Sequence, residues 1–184
     1  MVEQDSTSLF PFPVALMGCK TPVQGTDIGV KSTQGKLVRF FVPGRPAPGG
    51  SKTGFYIKKI GRVVMTPANK KTKPWMGIVS AFAKEAYQGE LLLGALRLQL
   101  EFHLLRPKKH YGTGRNASVM KASAPIYSTI RPDLTKLERS TEDALVGIIM
   151  QDDSQVAVKA TKKIYVERDE GVLVTVEQLE NTFI

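Results

Sequence analysis

The feature that most constrains the fold is a strict alternation of side-chain type across residues 96–104. The apolar positions are Leu96, Leu98, Leu100, Phe102 and Leu104, and the polar positions are Arg97, Gln99, Glu101 and His103. Successive side chains of an extended strand point to opposite faces, so this pattern predicts a strand with one buried face and one open face. Because such a strand needs neighbouring strands, the chain must form a sheet.

Shorter patterns predict the remaining elements in the order β, ββ, α, β, α, β, β. Strands are expected at 37–42, 55–60, 62–65, 156–166 and 172–179, and helices at 72–87 and 136–146. Gly61 marks a hairpin turn, Thr135 is the predicted N-cap of the second helix with Glu138 completing a capping box, and Gly147 is its stop signal. The order predicts a single α+β domain over residues 36–184, in which a mixed sheet packs with two main helices. Residues 1–35 show no periodic pattern and are predicted to form a flexible N-terminal arm.

The positive charge of the chain is unevenly distributed. The formal net charge is +9, and no acidic residue occurs between Asp27 and Glu85, an interval that holds twelve Lys and Arg residues. A second acid-free interval runs from Glu101 to Asp133, after which acidic residues cluster up to position 153. Long basic intervals favour a polyanionic partner such as the phosphate backbone of a nucleic acid.

Composition excludes several other classes of protein. The single Cys excludes an internal disulfide framework and a cysteine-based zinc site. No apolar run reaches the roughly 18 residues that a membrane-spanning helix needs. Glu3 and Asp5 stand where a signal peptide would carry positive charge, so we expect a cytoplasmic protein that does not associate with membranes.

Four aspartates in the acidic block could hold a divalent metal ion: Asp133, Asp143, Asp152 and Asp153. Mg²⁺ prefers oxygen ligands and keeps several waters, so two or three carboxylates suffice, and Mn²⁺ is an alternative ion. Arg139, one helical turn before Asp143, is the candidate to stabilise negative charge in the transition state, with Lys136 as the second choice. The alternative interpretation gives these residues local roles, with Asp133 at a helix start, Asp143 paired with Arg139, and a turn at residues 152–153.

The motifs in this region carry a family resemblance. The residues Pro132, Asp133, Leu137, Asp143, Ala144, Leu145, Gly147, Asp152, Asp153, Gln155 and Lys163 fall into the pattern Lys-Pro-Asp-x-Asp-Asn-Leu, then Asp-Ala-Leu, Gly and Asp-Asp-x-Gln followed by a Lys-containing strand. This pattern resembles the RusA family of Holliday-junction resolvases, which are small endodeoxyribonucleases. The resemblance covers about residues 37–180.

The resemblance implies a homodimer that binds four-way DNA junctions and makes paired nicks with Mg²⁺. Asp133 and Asp153 match metal-binding acids, Asp143 matches the acid of the helix, and Arg139 stands where the family has its catalytic Lys. Asp152 adjoins this set as a further metal-ligand candidate. The residues predicted to contact DNA are Arg45, Lys52, Lys70, Lys71, Lys73, Lys108, Lys109, Arg115 and Lys163.

Two departures from the family pattern leave alternatives open. Thr135 replaces the second Asp of the motif, with Lys136 where Asn is usual, and Arg139 replaces Lys. The first hypothesis is a Mg²⁺-dependent nuclease that resolves Holliday junctions or other branched DNA in recombination and repair. The second is a non-catalytic relative that binds branched DNA, and the third is a basic RNA-binding protein, which would leave the aspartates without a role.

Overall fold

A four-stranded mixed sheet is the framework of the described part of the chain, residues 35–50, 52–67 and 69–180, in a computed structural model. The side chains of residues 52, 53, 66 and 67 lie outside this description. In chain order the strands and helices are β1 (Leu37–Pro43), β2 (Lys52–Ile57), β3 (Arg62–Pro67), α1 (Thr72–Ala86), β4 (Leu96–Leu105), α2 (Leu134–Asp143), β5 (Val156–Val166) and β6 (Gly171–Gln178). The predicted N-terminal arm, residues 1–35, lies outside the described residues apart from Gly35.

The alternating strand β4 lies in the interior of this sheet, whose strand order is β1-β6-β4-β5. It pairs antiparallel with β6 and parallel with β5, so the predicted mixed sheet is confirmed. Its five apolar positions are buried, as the alternation predicts. The last two strands follow one another in the chain but are not neighbours, because β4 lies between them.

The helices cover the apolar face of the sheet through one continuous core. α1 packs against β1 and α2, and α2 also packs against β5. The Trp75 side chain is buried in this core, and its Nε1–H donates to Thr141 Oγ1 at 3.3 Å, which joins the two helices. The predicted α+β domain with two helices is therefore confirmed. In the ranges that the structure describes, no helix is long and apolar enough to cross a membrane.

The second helix begins two residues earlier than predicted and ends at Asp143. Its N-cap is Asp133, whose side chain makes no capping hydrogen bond, so the predicted capping box from Thr135 to Glu138 is wrong. The Asp133 carbonyl oxygen already accepts hydrogen bonds from the backbone N–H groups of Lys136 and Leu137. Because Leu134 also packs against the core, the helix begins at this residue, one position before the predicted N-cap Thr135.

The Pro- and Gly-rich segment between β1 and β2 packs directly on α2. The Gly49 N–H donates to the Lys136 carbonyl oxygen at 2.7 Å, and the Ser140 hydroxyl donates to the Ala47 carbonyl oxygen at 2.6 Å. A β-carbon at Gly49 would lie 2.9 Å from the Ser140 β-carbon and 3.2 Å from its Cα. The absence of a side chain at this glycine therefore allows the close approach.

A pair of Gly→Ala substitutions tests this packing. Gly77 lies in α1 with no atom within 4 Å of a β-carbon placed on it, whereas Gly49 is crowded. We expect Gly77→Ala to raise the free energy of unfolding by about 0.5–1 kcal/mol, and Gly49→Ala to lower it by about 1–3 kcal/mol. Denaturation in urea would measure both, and an unchanged stability in Gly49→Ala would contradict the packing described here.

Candidate active site

Asp143 and Asp153 lie close enough for their charges to interact. Asp143 is the last residue of α2, and Asp153 begins a 3₁₀ turn that precedes β5. Partial desolvation of its carboxyl group raises the pKa of Asp143, the negative charge of Asp153 raises it further, and the guanidinium of Arg139 opposes the rise. Three of the predicted catalytic residues therefore share one electrostatic environment.

Arg139 lies against the glycine segment that packs on α2. A β-carbon at Gly50 would lie 2.8 Å from the Arg139 Nη1 atom, so the guanidinium passes directly over this backbone. Within the described part of the chain, Arg139 and Asp143 do not form an ion pair, although they are four residues apart on one helix. The local pairing that would have given both residues a purely structural role is therefore absent.

A partly buried ion pair beside this site joins the end of α2 to β5. Glu142 Oε2 accepts from Lys159 Nζ at 2.7 Å, and the Glu142 side chain is largely buried whereas that of Lys159 is about one-third exposed. Removing Lys159 would leave the Glu142 carboxylate without its partner, which destabilises the end of the helix. The pair holds the helix against the strand next to Asp143. No local pattern in the sequence predicts it, because only tertiary packing places the two residues side by side.

The Asp152 carboxylate caps the short 3₁₀ turn that follows it. Its carboxylate accepts from the Ser154 N–H at 2.9 Å, and this hydrogen bonding holds the pKa of Asp152 below its usual range. Gln155 completes a capping box, with its Oε1 accepting from the Asp152 N–H at 3.1 Å and its Nε2 donating to the Leu92 carbonyl oxygen at 3.0 Å. Asp152 and Asp153 thus lie in a turn that leads into β5, which is the local role that the alternative interpretation of the sequence gave them. The Asp-x-x-Gln spacing is itself a capping-box signature and could have shown this.

Asp133 lies between two lysines at the start of α2. Lys136 Nζ is 3.2 Å from Asp133 Oδ2, an ion pair with both side chains about half exposed. Lys163 is buried, and its ammonium donates to the carbonyl oxygens of Ile130 and Pro132 at 2.7 and 2.8 Å. Burial lowers the pKa of Lys163, while the charge of Asp133 acts in the opposite direction. We assign Lys163 the role of holding the backbone ahead of Asp133.

The four predicted metal ligands do not form a single cluster. Among residues 35–50, 52–67 and 69–180, no three His, Cys, Asp or Glu side chains are grouped so that they could hold a metal ion. Asp143 and Asp153 are the two carboxylates of this set whose charges act on one another, and a bound divalent cation would relieve that repulsion. Mg²⁺ is commonly held by one or two carboxylates together with substrate phosphates and water. The assignment of Asp133 and Asp152 as further ligands stays a prediction.

A cationic groove opens beside Asp133. Its volume is about 660 Å³, and the charged residues that line it are Arg45, Lys71, Arg131, Lys136 and Asp133. Four cations around one carboxylate favour binding of an anion with several charges, such as a run of phosphates. Arg131 and Lys136 were not among the residues predicted to contact DNA, although both lie within the motif that carries the family resemblance.

Five of the remaining predicted DNA contacts lie on the surface. Lys70 and Lys73 are exposed at the start of α1, and Lys108, Lys109 and Arg115 are exposed on the loop after β4. Lys52 begins β2, but its side chain lies outside the described residues. Their contact with DNA stays a prediction.

A comparison with known protein families identifies the family of the chain. The family model of the endodeoxyribonuclease RusA matches residues 43–177, which is more than half of the chain. The chain belongs to the RusA family. The matched range includes the residues that line the cationic groove, the whole of α2 and the Asp152–Gln155 turn. Among curated proteins, none matches the chain. Membership identifies a nuclease family that acts on DNA and confirms the resemblance found in the sequence.

Replacing Asp143 by Asn tests the carboxylate pair of this RusA protein. Since the pKa of Asp143 is raised on folding, the folded state binds more protons than the unfolded chain between the ordinary and the raised pKa, and stability falls as pH rises through that window. In metal-free buffer we expect Asp143→Asn to raise the free energy of unfolding at about pH 7. The change should vanish below the ordinary Asp pKa of about 3.9.

Asp152→Asn is the matched control, with the opposite sign. The pKa of Asp152 is lowered in the folded state, so this carboxylate contributes stability above its ordinary pKa and loses that contribution as pH falls. Asp152→Asn should therefore lower the free energy of unfolding near neutral pH. Urea denaturation at several pH values measures both variants, and changes of the same sign would contradict the assignment.

Proposed function

We propose that this RusA family member is a divalent-metal-dependent endonuclease that nicks four-way junctions or related branched DNA. The observation that carries the proposal is the placement of Asp143, partly desolvated at the end of α2, where the charge of Asp153 in the following turn acts on it and the Arg139 guanidinium lies against the Gly50 backbone. Family membership supports hydrolysis of DNA and disfavours the RNA-binding alternative.

Each residue of the site has a chemical role in this proposal. Asp143 and Asp153 would hold Mg²⁺, or Mn²⁺, which supplies Lewis-acid stabilisation of charge at the scissile phosphate. Arg139 would donate hydrogen bonds to a phosphate oxygen, where a fixed cation stabilises the extra negative charge of the transition state. Its planar guanidinium can bind two oxygens of one phosphate in a bidentate geometry, whereas the Lys of the family motif acts as a compact point charge.

The cationic groove would orient the DNA strand that is cut. Arg45 and Lys71 come from segments on either side of the first hairpin, and Arg131 and Lys136 flank Asp133. Cations from separate parts of the chain can hold successive phosphates of one backbone, which fixes the register of the strand beside the carboxylates. The groove therefore supplies position, while Asp143, Asp153 and Arg139 supply the chemistry.

A two-fold dimer would provide two such sites for the paired cuts of a symmetric junction. Support for the homodimer comes from β5, which is an edge strand of the sheet. Its first half is exposed at Ala157, Val158 and Ala160, whereas its second half is bridged by Tyr127 at Ile164. An unpaired edge with apolar side chains is suited to pairing with a second chain.

A second candidate function is binding of branched DNA without cleavage. Thr135 offers a hydroxyl where the family motif has a carboxylate, and the Lys136 ammonium lies on Asp133. Both differences remove negative charge from the start of α2, which weakens binding of a cation there. In this case the groove would bind junctions in a salt-sensitive manner and no metal-dependent nicks would appear.

Incubation with a synthetic four-way junction and Mg²⁺ separates the two functions. The wild-type protein should nick two opposing strands of the junction and leave a duplex of the same sequence intact. Asp153→Asn should abolish nicking, and Arg139→Gln should slow it by roughly a hundredfold to a thousandfold. Asp169→Asn, at an exposed acid in the turn before β6, is the control and should nick normally.

Undiminished nicking by Asp153→Asn would contradict the nuclease proposal. Tight junction binding by the wild-type protein, with no nicks in either Mg²⁺ or Mn²⁺, would favour the second function.

Lys136→Asn tests whether the ammonium beside Asp133 weakens the metal site. Removing a cation from an exposed pair of this kind changes the local free energy by about 0.2–1 kcal/mol. We expect the affinity for Mn²⁺ to rise by roughly 1.4-fold to fivefold, measured by calorimetric titration. Lys84→Asn makes the same charge change on an exposed position of α1 and should leave the affinity unchanged. An equal effect of both variants would exclude a specific role for Lys136.

A further inference from the structure

The residues on both sides of the β2–β3 hairpin line the cationic groove. Its two strands form a sheet of their own, separate from the main sheet. Pro46 and Pro48 precede the hairpin and Asn69 and Lys71 follow it, and all four residues line the groove. Six residues of strand extend about 20 Å, so the hairpin is long enough to reach well beyond the groove.

Both faces of this hairpin carry exposed apolar side chains. Phe55 is paired with Val64 on one face, and these side chains are 57% and 38% exposed. Tyr56 is paired with Val63 on the other face, at 64% and 61% exposure. A two-stranded hairpin that packs on a protein surface needs only one apolar face. Apolar side chains on both faces fit a partner that surrounds the hairpin.

The tip of the hairpin is strongly basic. The Ile60 N–H donates to the Ile57 carbonyl oxygen at 3.2 Å, and Gly61 adopts a φ of 60°, so the chain reverses at Lys58 and Lys59. Arg62 follows at once, and no acidic residue occurs anywhere between Asp27 and Glu85. A second copy of the same hairpin would bring like charges together, whereas DNA offers complementary charge.

We infer that the β2–β3 hairpin inserts into the open centre of branched DNA, with its apolar faces against unstacked bases and its basic tip on the phosphates. Apolar side chains inserted between base steps are a known means of holding unstacked DNA, and aromatic rings stack on any base without reading its sequence. The inference rests on the proposed branched-DNA substrate and adds the element that selects a branch over a plain duplex. It does not depend on catalysis.

The test uses a four-way junction with 2-aminopurine next to the branch point, in buffer with EDTA so that no cleavage occurs. Binding of the wild-type chain should raise the fluorescence as the base is unstacked. The double variant Phe55→Thr/Tyr56→Thr keeps residues that favour strands. It should lose this rise and bind the junction roughly tenfold to a hundredfold more weakly, while its affinity for duplex DNA stays unchanged.

Two control variants separate insertion from other effects. Leu93→Thr alters an apolar side chain of the same 61% exposure as Val63 and should behave as wild type. Lys71→Ala removes a groove cation, so it should weaken binding to junction and duplex alike and still give the full fluorescence rise at saturation.

The outcomes distinguish this inference from the proposed function. Junction binding by the wild-type chain without a fluorescence rise overturns the hairpin inference and leaves the proposed function intact. Equal loss of junction and duplex affinity in the double variant also overturns it. A change in the solution mass of the double variant, with the fluorescence rise retained, would show that the hairpin binds protein. Absence of any preference for branched DNA overturns both proposals.

Discussion

The close contact between the Gly49 backbone and α2 at Ser140 is the constraint on which the candidate site depends. Asp133, Arg139 and Asp143 all belong to that helix or cap it, so the position of the helix sets the position of the chemistry. One side of α2 is held by the glycine segment through the Ser140 hydroxyl, and its end is held by the Glu142–Lys159 pair. With both contacts in place, the Arg139 guanidinium lies over the Gly50 backbone. A shift of this helix would move all three charged groups together.

The electrostatics of the site oppose those of the molecule as a whole. A chain of net charge +9 attracts DNA at long range, yet partial burial raises the pKa of Asp143 and the repulsion from Asp153 raises it further. That repulsion costs stability in the absence of a cation, and a bound cation would offset it. The same logic applies to Asp133, where the Lys136 ammonium already neutralises the carboxylate. In the proposed nuclease, a metal ion would therefore relieve repulsion at Asp143 and Asp153, whereas Asp133 already has a cationic partner.

Local sequence patterns predict the elements well and their long-range arrangement poorly. The alternation across residues 96–104 identified the interior strand, and Gly61 identified the hairpin turn, because both signals are local. The insertion of β4 between β5 and β6 depends on pairing across distant segments, which no local pattern encodes. For the same reason the sequence identifies Asp143 and Asp153 as candidate ligands but does not predict that their charges interact in the fold. Lys163 is predicted from the sequence to contact DNA, whereas the fold buries it and its ammonium donates to the carbonyl oxygens of Ile130 and Pro132.

The hairpin has two unfavourable features in water: apolar side chains exposed on both faces, and cations close together at its tip. A two-stranded sheet with apolar side chains on both faces is only marginally stable in water, and the cations at its tip repel one another. Contact with DNA would remove both penalties, since bases would cover the apolar faces and phosphates would neutralise Lys58, Lys59 and Arg62. A plain duplex can relieve the charge but cannot cover both faces without unstacking its base pairs. An open branch point already contains the gap, so the energy gained on inserting the hairpin is larger there. Selectivity for branched DNA would then follow from exposed apolar surface, and the basic charge alone would give affinity without that selectivity.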